Sequence, residues 1–350
     1  MAIQSHSERL ATEMFVMGKY ILLLFVPYHL TWDYSFNEIP PVGWFDYKVI
    51  LSVLVCVGLI VYALLKLKDK NIFSFCILYF FITISVTSNF IVPIGSVMSE
   101  RFLFVPSLGF CIALVYLFNK LLKIDASGKL RQNYIVLYTV SGVLIFLYLL
   151  KTIDREKDWK DNIALFEAGI KDAPNSARTH QALGNEYAKV ARNTTDAKTR
   201  ADLFKHGIDE LKFGLNIYQP GYLGWYNLGA AYFDAGYLKE GEDASRKALV
   251  YDPNFAPAYY NIGTALAQRK QFREAIGSLV KATELDSNYT DAFSNTAAVY
   301  TALHEYKNAA PYFKRCCLLK PESKEYYDRM IRNNNAMMRD SLLEKPNAVR

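Results

Sequence analysis

The sequence predicts an all-α protein in two parts, a multi-span transmembrane helix bundle followed by an α-solenoid built of helix pairs. Three observations lead there: apolar runs of membrane-crossing length between Lys48 and Leu150, a sharp turn to polar composition after Asp154, and a 34-residue period beyond it. The chain is 52% hydrophobic over 350 residues with 25 tyrosines. That average conceals two unlike halves. The expected divisions are 1–153 for the membrane region, 154–322 for the solenoid, and 323–350 for a capping helix and tail.

A helix needs roughly 20 apolar residues to cross a ~30 Å hydrocarbon core at 1.5 Å per residue. VILSVLVCVGLIVYALL (49–65), IFSFCILYFFITISVTSNFIV (72–92), FLFVPSLGFCIALVYLFNKLL (102–122) and YIVLYTVSGVLIFLYLL (134–150) fit. MFVMGKYILLLFV (14–26) is shorter and carries Lys19, and with it the expectation is about five spans. No small-residue cleavage site follows that first run, so it is not expected to be a cleaved leader.

Loop charge sets the expected orientation, because lysine and arginine collect on the cytoplasmic side. Lys66, Lys68 and Lys70 follow the second span, and Lys120, Lys123, Lys129 and Arg131 follow the fourth. The connection 28–47 holds Asp33, Glu38 and Asp46 without a lysine or arginine before Lys48. Alternation then puts everything after Leu150 on the extracytoplasmic side, periplasm or ER lumen.

The period is carried by YLGWYNLGAAYFDAGYLKEGEDASRKALVYDPNF, APAYYNIGTALAQRKQFREAIGSLVKATELDSNY and TDAFSNTAAVYTALHEYKNAAPYFKRCCLLKPES. Trp225, Leu228, Gly229, Tyr232, Ala248 and Pro253 mark the first unit. Tyr259, Ile262, Gly263, Ala275 and Ala282 mark the second, and Phe293, Ala297, Tyr300, Ala309 and Pro321 the third. This spacing resembles the tetratricopeptide repeat, whose small residues let two helices approach and whose core forms only by stacking on neighbours. RTHQALGNEYAKV reads as an upstream copy with Leu183, Gly184 and Tyr187, its second helix delayed by a polar loop around ARNTTDAKTR. WKDNIALFEAGIKDAPNS reads as a lone second helix ending at Pro174, and KEYYDRMIRNNNAMM as a polar cap.

Asn227, Asn261 and Asn295 occupy one position of successive units, on the helix that lines the concave face. Carboxamides there can donate to and accept from the backbone of an extended peptide whatever its side chains. The O-linked N-acetylglucosamine transferase superhelix is similar in using an asparagine ladder. The column breaks at Ala182 upstream, and asparagine as ordinary repeat composition is the alternative.

PYHLTWDYSFNEIP (27–40) and SERFLFVPSLGFC (99–111), placed ahead of such repeats, resemble the transmembrane and tetratricopeptide-repeat protein O-mannosyltransferases and their bacterial relatives. The resemblance implies a multi-span glycosyltransferase that takes a sugar from a polyprenyl phosphate carrier and places it on protein. It also implies an N-terminal membrane region, bearing the catalytic carboxylate, that this sequence does not contain. Asp33 is the one candidate base in the matched segment, and a capping or turn carboxylate is the other reading.

Two function classes follow: a membrane-anchored polypeptide-binding protein, or a subunit or fragment of an active transferase. Arg101, at the outer end of a span and oriented by Glu100, is the candidate lipid-phosphate contact, since a guanidinium fork suits phosphate oxygens, and an interfacial ion pair that snorkels is the alternative. The expected partners are a protein or peptide ligand and membrane lipids, with a polyprenyl-phosphate-linked sugar as the conceivable donor and no resident cofactor. Cys56, Cys76, Cys111, Cys316 and Cys317 lack zinc or disulfide spacing, and the five histidines are scattered, so no metal is expected. The net charge of +6 is placed largely in the cytoplasmic connections, and no nucleic-acid patch is present. Asn193-Thr194-Thr195 and Asn288-Tyr289-Thr290 fit the glycosylation sequon.

Overall fold

The structure, a computed structural model, describes residues 5–27, 30–34, 38–90, 97–122, 131–219 and 221–343, with backbone alone for 131–134 and 340–343. Lys123 and Lys129, used above for orientation, lie outside the described residues. All regular structure among the described residues is helical. The chain divides into two compact units, Met1–Leu183 and Gly184–Arg350.

In the first unit the helices are α1 (His6–Phe25), α2 (Tyr47–Leu65), α3 (Ile72–Ser85), α4 (Ser107–Leu121), α5 (Arg131–Glu156), α6 (Asn162–Asp172) and the start of α7 (Ala177–Asn193). Two stretches are long and apolar enough to cross a membrane, Tyr47–Leu65 and Ile135–Trp159. The runs expected over 72–92 and 102–122 yield helices of 14 and 15 residues, about 21–23 Å at 1.5 Å per residue. Local chemistry shortens them. Thr87 and Ser88 hydroxyls donate back to the Ile84 and Ser85 carbonyls at the end of α3, and Asn89 turns left-handed at φ +57°. Pro106 has no N–H to give and stands just before α4, preceded by a 3-10 turn over Glu100–Leu103.

Helices α1 and α2 run in the same direction. Phe15 lies beside Lys48, Ser52 occupies the space a Cβ on Gly18 would take, and Leu22 and Val55 wall one crevice. Alternating spans predict an antiparallel pair, so this is a correction. The described parts of the connection 26–46 (26–27, 30–34 and 38–46) hold no helix, and its end lies beside the start of α1. Val42 N–H donates to Thr12 Oγ1 at 3.1 Å and Trp44 Nε1 to Ser7 Oγ at 3.1 Å. Thr31, Asp33, Tyr34 and Ile39 are buried along it.

The second unit is the solenoid: the remainder of α7, α8 (Ala197–Ile217), and the pairs α9 (Tyr222–Asp234) with α10 (Leu238–Tyr251), α11 (Ala256–Gln268) with α12 (Phe272–Leu285) and α13 (Thr290–Ala302) with α14 (Tyr306–Leu319). Each buries a satellite core, such as Ile262, Leu266, Ala275, Leu279 and Val299. The turn inside each pair repeats a left-handed residue at the same register: Gly236 (φ +88°), Lys270 (φ +62°) and His304 (φ +61°). It is closed each time by an amide reaching back five residues, as from Tyr237 to Tyr232 at 2.8 Å and Gln271 to Leu266 at 2.8 Å.

The polar loop expected around ARNTTDAKTR is mostly helix. Only residues 194–196 separate α7 from α8, and α8 has 21 residues against 14 for α10. Asp196 caps it by accepting from Thr199 N–H at 2.8 Å, and the alanines on either side favour helix. The extra turns overhang a cavity of about 840 Å³ bounded by Phe204, Ile208, Phe233 and Tyr237 and rimmed by Arg200 and Glu240. The expected cap is present as α15 (Lys324–Leu343), locked by Asn334, whose Nδ2 donates to the Tyr306 carbonyl at 2.7 Å.

Candidate functional site

Two constellations bear on function, one in each unit. In the first, Thr31 N–H and Tyr34 OH both donate to Glu100 Oε1 at 2.7 Å. Burial pushes the Glu100 carboxyl above the usual carboxylate range, and those two donors oppose the shift. Glu100 therefore faces the connection 26–46 and makes no ion pair with Arg101, contrary to the expectation that it orients that guanidinium. Arg101 is exposed, with the neighbouring Phe102 ring 5.5 Å from its guanidinium carbon.

Asp33 is buried and tied to the start of α7. Ser176 Oγ donates to its Oδ2 at 2.9 Å, and Arg178 Nη1 lies 3.6 Å from its Oδ1. Ser176 Oγ also accepts from Thr179 N–H at 3.2 Å. The carboxylate thus anchors a helix N-terminus through its capping serine. Trp32 beside it packs on Phe166 at 5.1 Å and fills the space over Gly169. Sequence reading missed this docking, because nothing local links positions so far apart.

In the second unit Asn227, Asn261 and Asn295 are all half-buried on the first helices of their pairs. Asn295 Nδ2 donates to Tyr260 OH and to Thr264 Oγ1, both at 3.2 Å. Asn261 has Ala230 where Asn295 has Thr264, and its buried Nδ2 finds no hydrogen-bond partner among the described residues. Tyrosines run beside the carboxamides: Tyr226 meets Phe255 at 5.1 Å and Tyr260 meets Tyr289 at 5.0 Å. Burial pushes the phenols of Tyr226, Tyr260 and Tyr289 above the usual range, so they remain hydrogen-bond donors. The 34-residue step from Tyr226 to Tyr260 was the available signal for this aromatic file; it ends at Ser294. No group of His, Cys, Asp and Glu suited to a metal occurs among the described residues.

Helix pairs at a fixed step, with small residues at their crossings, are the architecture of tetratricopeptide repeats. Residues 223–255 and 256–289 match that repeat family. The chain is 26% identical over 193 residues to the protein O-mannosyl-transferase TMTC1 of Mus musculus, which covers 53% of this chain and 20% of that protein. It is 39% identical over 98 residues to the protein O-mannosyl-transferase tmtc2 of Xenopus laevis, covering 28% of this chain and 11% of the relative. The chain thus spans a quarter or less of the length of these relatives. The crystal structure of MamA is similar at TM-score 0.41 and 21% identity, over 47% of this chain and 90% of MamA.

Proposed function

We propose that this chain is a membrane-anchored tetratricopeptide-repeat protein that binds extended polypeptides in its repeat groove on the extracytoplasmic face. The carboxamide column at Asn227, Asn261 and Asn295, half-buried on the first helices of successive pairs, supports this most directly. Hydrogen bonds from carboxamides to a peptide backbone ask nothing of the peptide's sequence, and the adjoining tyrosines add apolar contact with little entropy to lose. The test is titration of the full chain in detergent with a fluorescent, unstructured, Ser/Thr-rich polypeptide. Replacing all three asparagines by alanine is expected to weaken binding by at least tenfold, at about 1 kcal/mol per lost hydrogen bond. Unchanged affinity with unchanged helicity overturns the reading.

The second reading is a subunit or fragment of a membrane glycosyltransferase that transfers mannose to protein Ser/Thr. It is favoured by the similarity to O-mannosyl-transferases. In that setting the exposed Arg101 meets the phosphate of a polyprenyl-phosphate-linked sugar. Arg101→Ala is expected to lower binding of a polyprenyl phosphate by about tenfold, the scale of one charge-assisted contact. Equal binding by parent and variant removes Arg101 from that role.

A further inference from the structure

Between α1 and α2 lies a crevice of about 350 Å³ whose walls are Phe15, Gly18, Leu22, Phe25, Leu51 and Val55. Its flanks are open: Leu22, Phe25 and Leu51 are each 61% exposed. At one end stand two lysines that share a single ring, Lys19 Nζ at 5.4 Å and Lys48 Nζ at 5.7 Å from the Phe15 centroid. Neither ammonium forms an ion pair with a carboxylate of the described residues. Lys19 is half-buried, with Glu38 beyond ion-pair distance and Lys48 nearby with like charge. Two cations are thus gathered at the mouth of an apolar channel.

We infer that this crevice binds an anionic phospholipid of the surrounding bilayer, with its phosphate between Lys19 and Lys48 and one acyl chain along Leu22, Phe25, Leu51 and Val55. The chemistry selects this occupant. A free phosphate leaves the apolar walls bare, whereas a zwitterionic headgroup brings its own ammonium against the two lysines. The lysine ammoniums are compact point charges on flexible stems and accept a phosphate without demanding the geometry of a guanidinium fork. The crevice opens sideways along α2, one of the two helices of membrane-crossing length, so bilayer lipid reaches it by lateral diffusion. Arg101 does not line it. The inference rests on the chain being membrane-inserted.

The test reconstitutes the full chain into phosphatidylcholine vesicles containing one-tenth phosphatidylglycerol with a photoactivatable acyl chain. Cross-linked peptides are expected from 15–25 and 47–55. Each lysine near a charged lipid surface is worth about fivefold in binding, so Lys19→Gln with Lys48→Gln is expected to cut cross-linking roughly thirtyfold. Lys48→Gln alone, at an exposed position that leaves packing intact, is expected to cut it about fivefold. Lys66→Gln with Lys68→Gln, at the far end of α2, leaves it unchanged. Equal labelling of parent and Lys48→Gln overturns the assignment, as does equal labelling by photoactivatable phosphatidylcholine. Displacement by a polyprenyl phosphate at a tenth of the phosphatidylglycerol concentration also overturns it, by giving the crevice to that lipid. Resistance of the vesicle-bound protein to alkaline carbonate reports insertion separately. Resistant protein without cross-linking refutes the crevice alone, and protein released by the wash refutes the membrane reading together with it.

Discussion

Gly184→Leu is expected to destabilise the solenoid by about 3 kcal/mol, at the upper end of overpacking costs. A Cβ at this position would lie 2.6 Å from the Gly207 carbonyl oxygen and 3.0 Å from the Leu211 nitrogen. Gly207 faces the same constraint in return, 2.8 Å from the Gly184 carbonyl. The obstacle is backbone on both helices, so no rotamer change relieves it. Because repeat arrays are stabilised by nearest-neighbour interfaces, the damage should concentrate in α7 and α8. Urea unfolding followed by circular dichroism would show an early helical transition with the later repeats retained. Gly277→Ala in α12 is the matched contrast. Nothing lies within 4 Å of the added methyl, and the gain should be about 0.5–1 kcal/mol from helix propensity. A Gly184→Leu chain that unfolds with the parent's midpoint contradicts the backbone contact.

Glu242→Ala is expected to cost about 2–3 kcal/mol, less than the 3–5 typical of a fully buried pair because its cations reach water. The carboxylate is 4% exposed. Arg246 donates to Oε1 through Nε at 3.0 Å and Nη2 at 2.8 Å, Arg269 Nη1 donates to Oε2 at 2.7 Å, and Lys239 stands at 3.9 Å. Since Arg269 ends α11, the cluster joins one repeat to the next. Removing Arg246 and Arg269 together, by alanine at both, should cost more than removing Glu242, since it strands a buried anion. Chemical denaturation of the three chains gives the order. Equal losses, or a larger loss in Glu242→Ala, would show that the carboxylate is solvated after all.

The repeats were legible because their signal is local. Gly229, Gly263 and Ala297 sit where paired helices cross, and Ala248 and Ala282 recur at the same step, so period and packing coincide. The left-handed turn residue was visible only at Gly236; Lys270 and His304 adopt the same backbone without advertising it. The insertion after α7 read as loop because threonines and charges dominate it, yet Asp196 and its alanines extend helix instead. The asparagine column was found from spacing, whereas the missing partner of Asn261 depends on Ala230, on the first helix of the preceding pair.

The first unit was less legible. Hydropathy identifies α2 and α5, but the direction of α1 is fixed by remote pairs such as Arg9 Nη1 to the Asn89 carbonyl at 2.8 Å and Ser99 N–H to Tyr20 OH at 3.0 Å. No window of sequence contains both partners. Glu100 and Arg101 are adjacent, which suggested a pair, yet the 3-10 turn sends their side chains to different surroundings.

The burial of Thr31, Asp33 and Tyr34 carries a consequence for biogenesis. During synthesis this stretch emerges long before the groups that complete it: Glu100 for Thr31 and Tyr34, then Ser176, 143 positions further on, for Asp33. Until then the Thr31 amide, the Tyr34 hydroxyl and the Asp33 carboxylate take their hydrogen bonds from water. Closure of these contacts is therefore a late step, open only once Ser176 has left the ribosome.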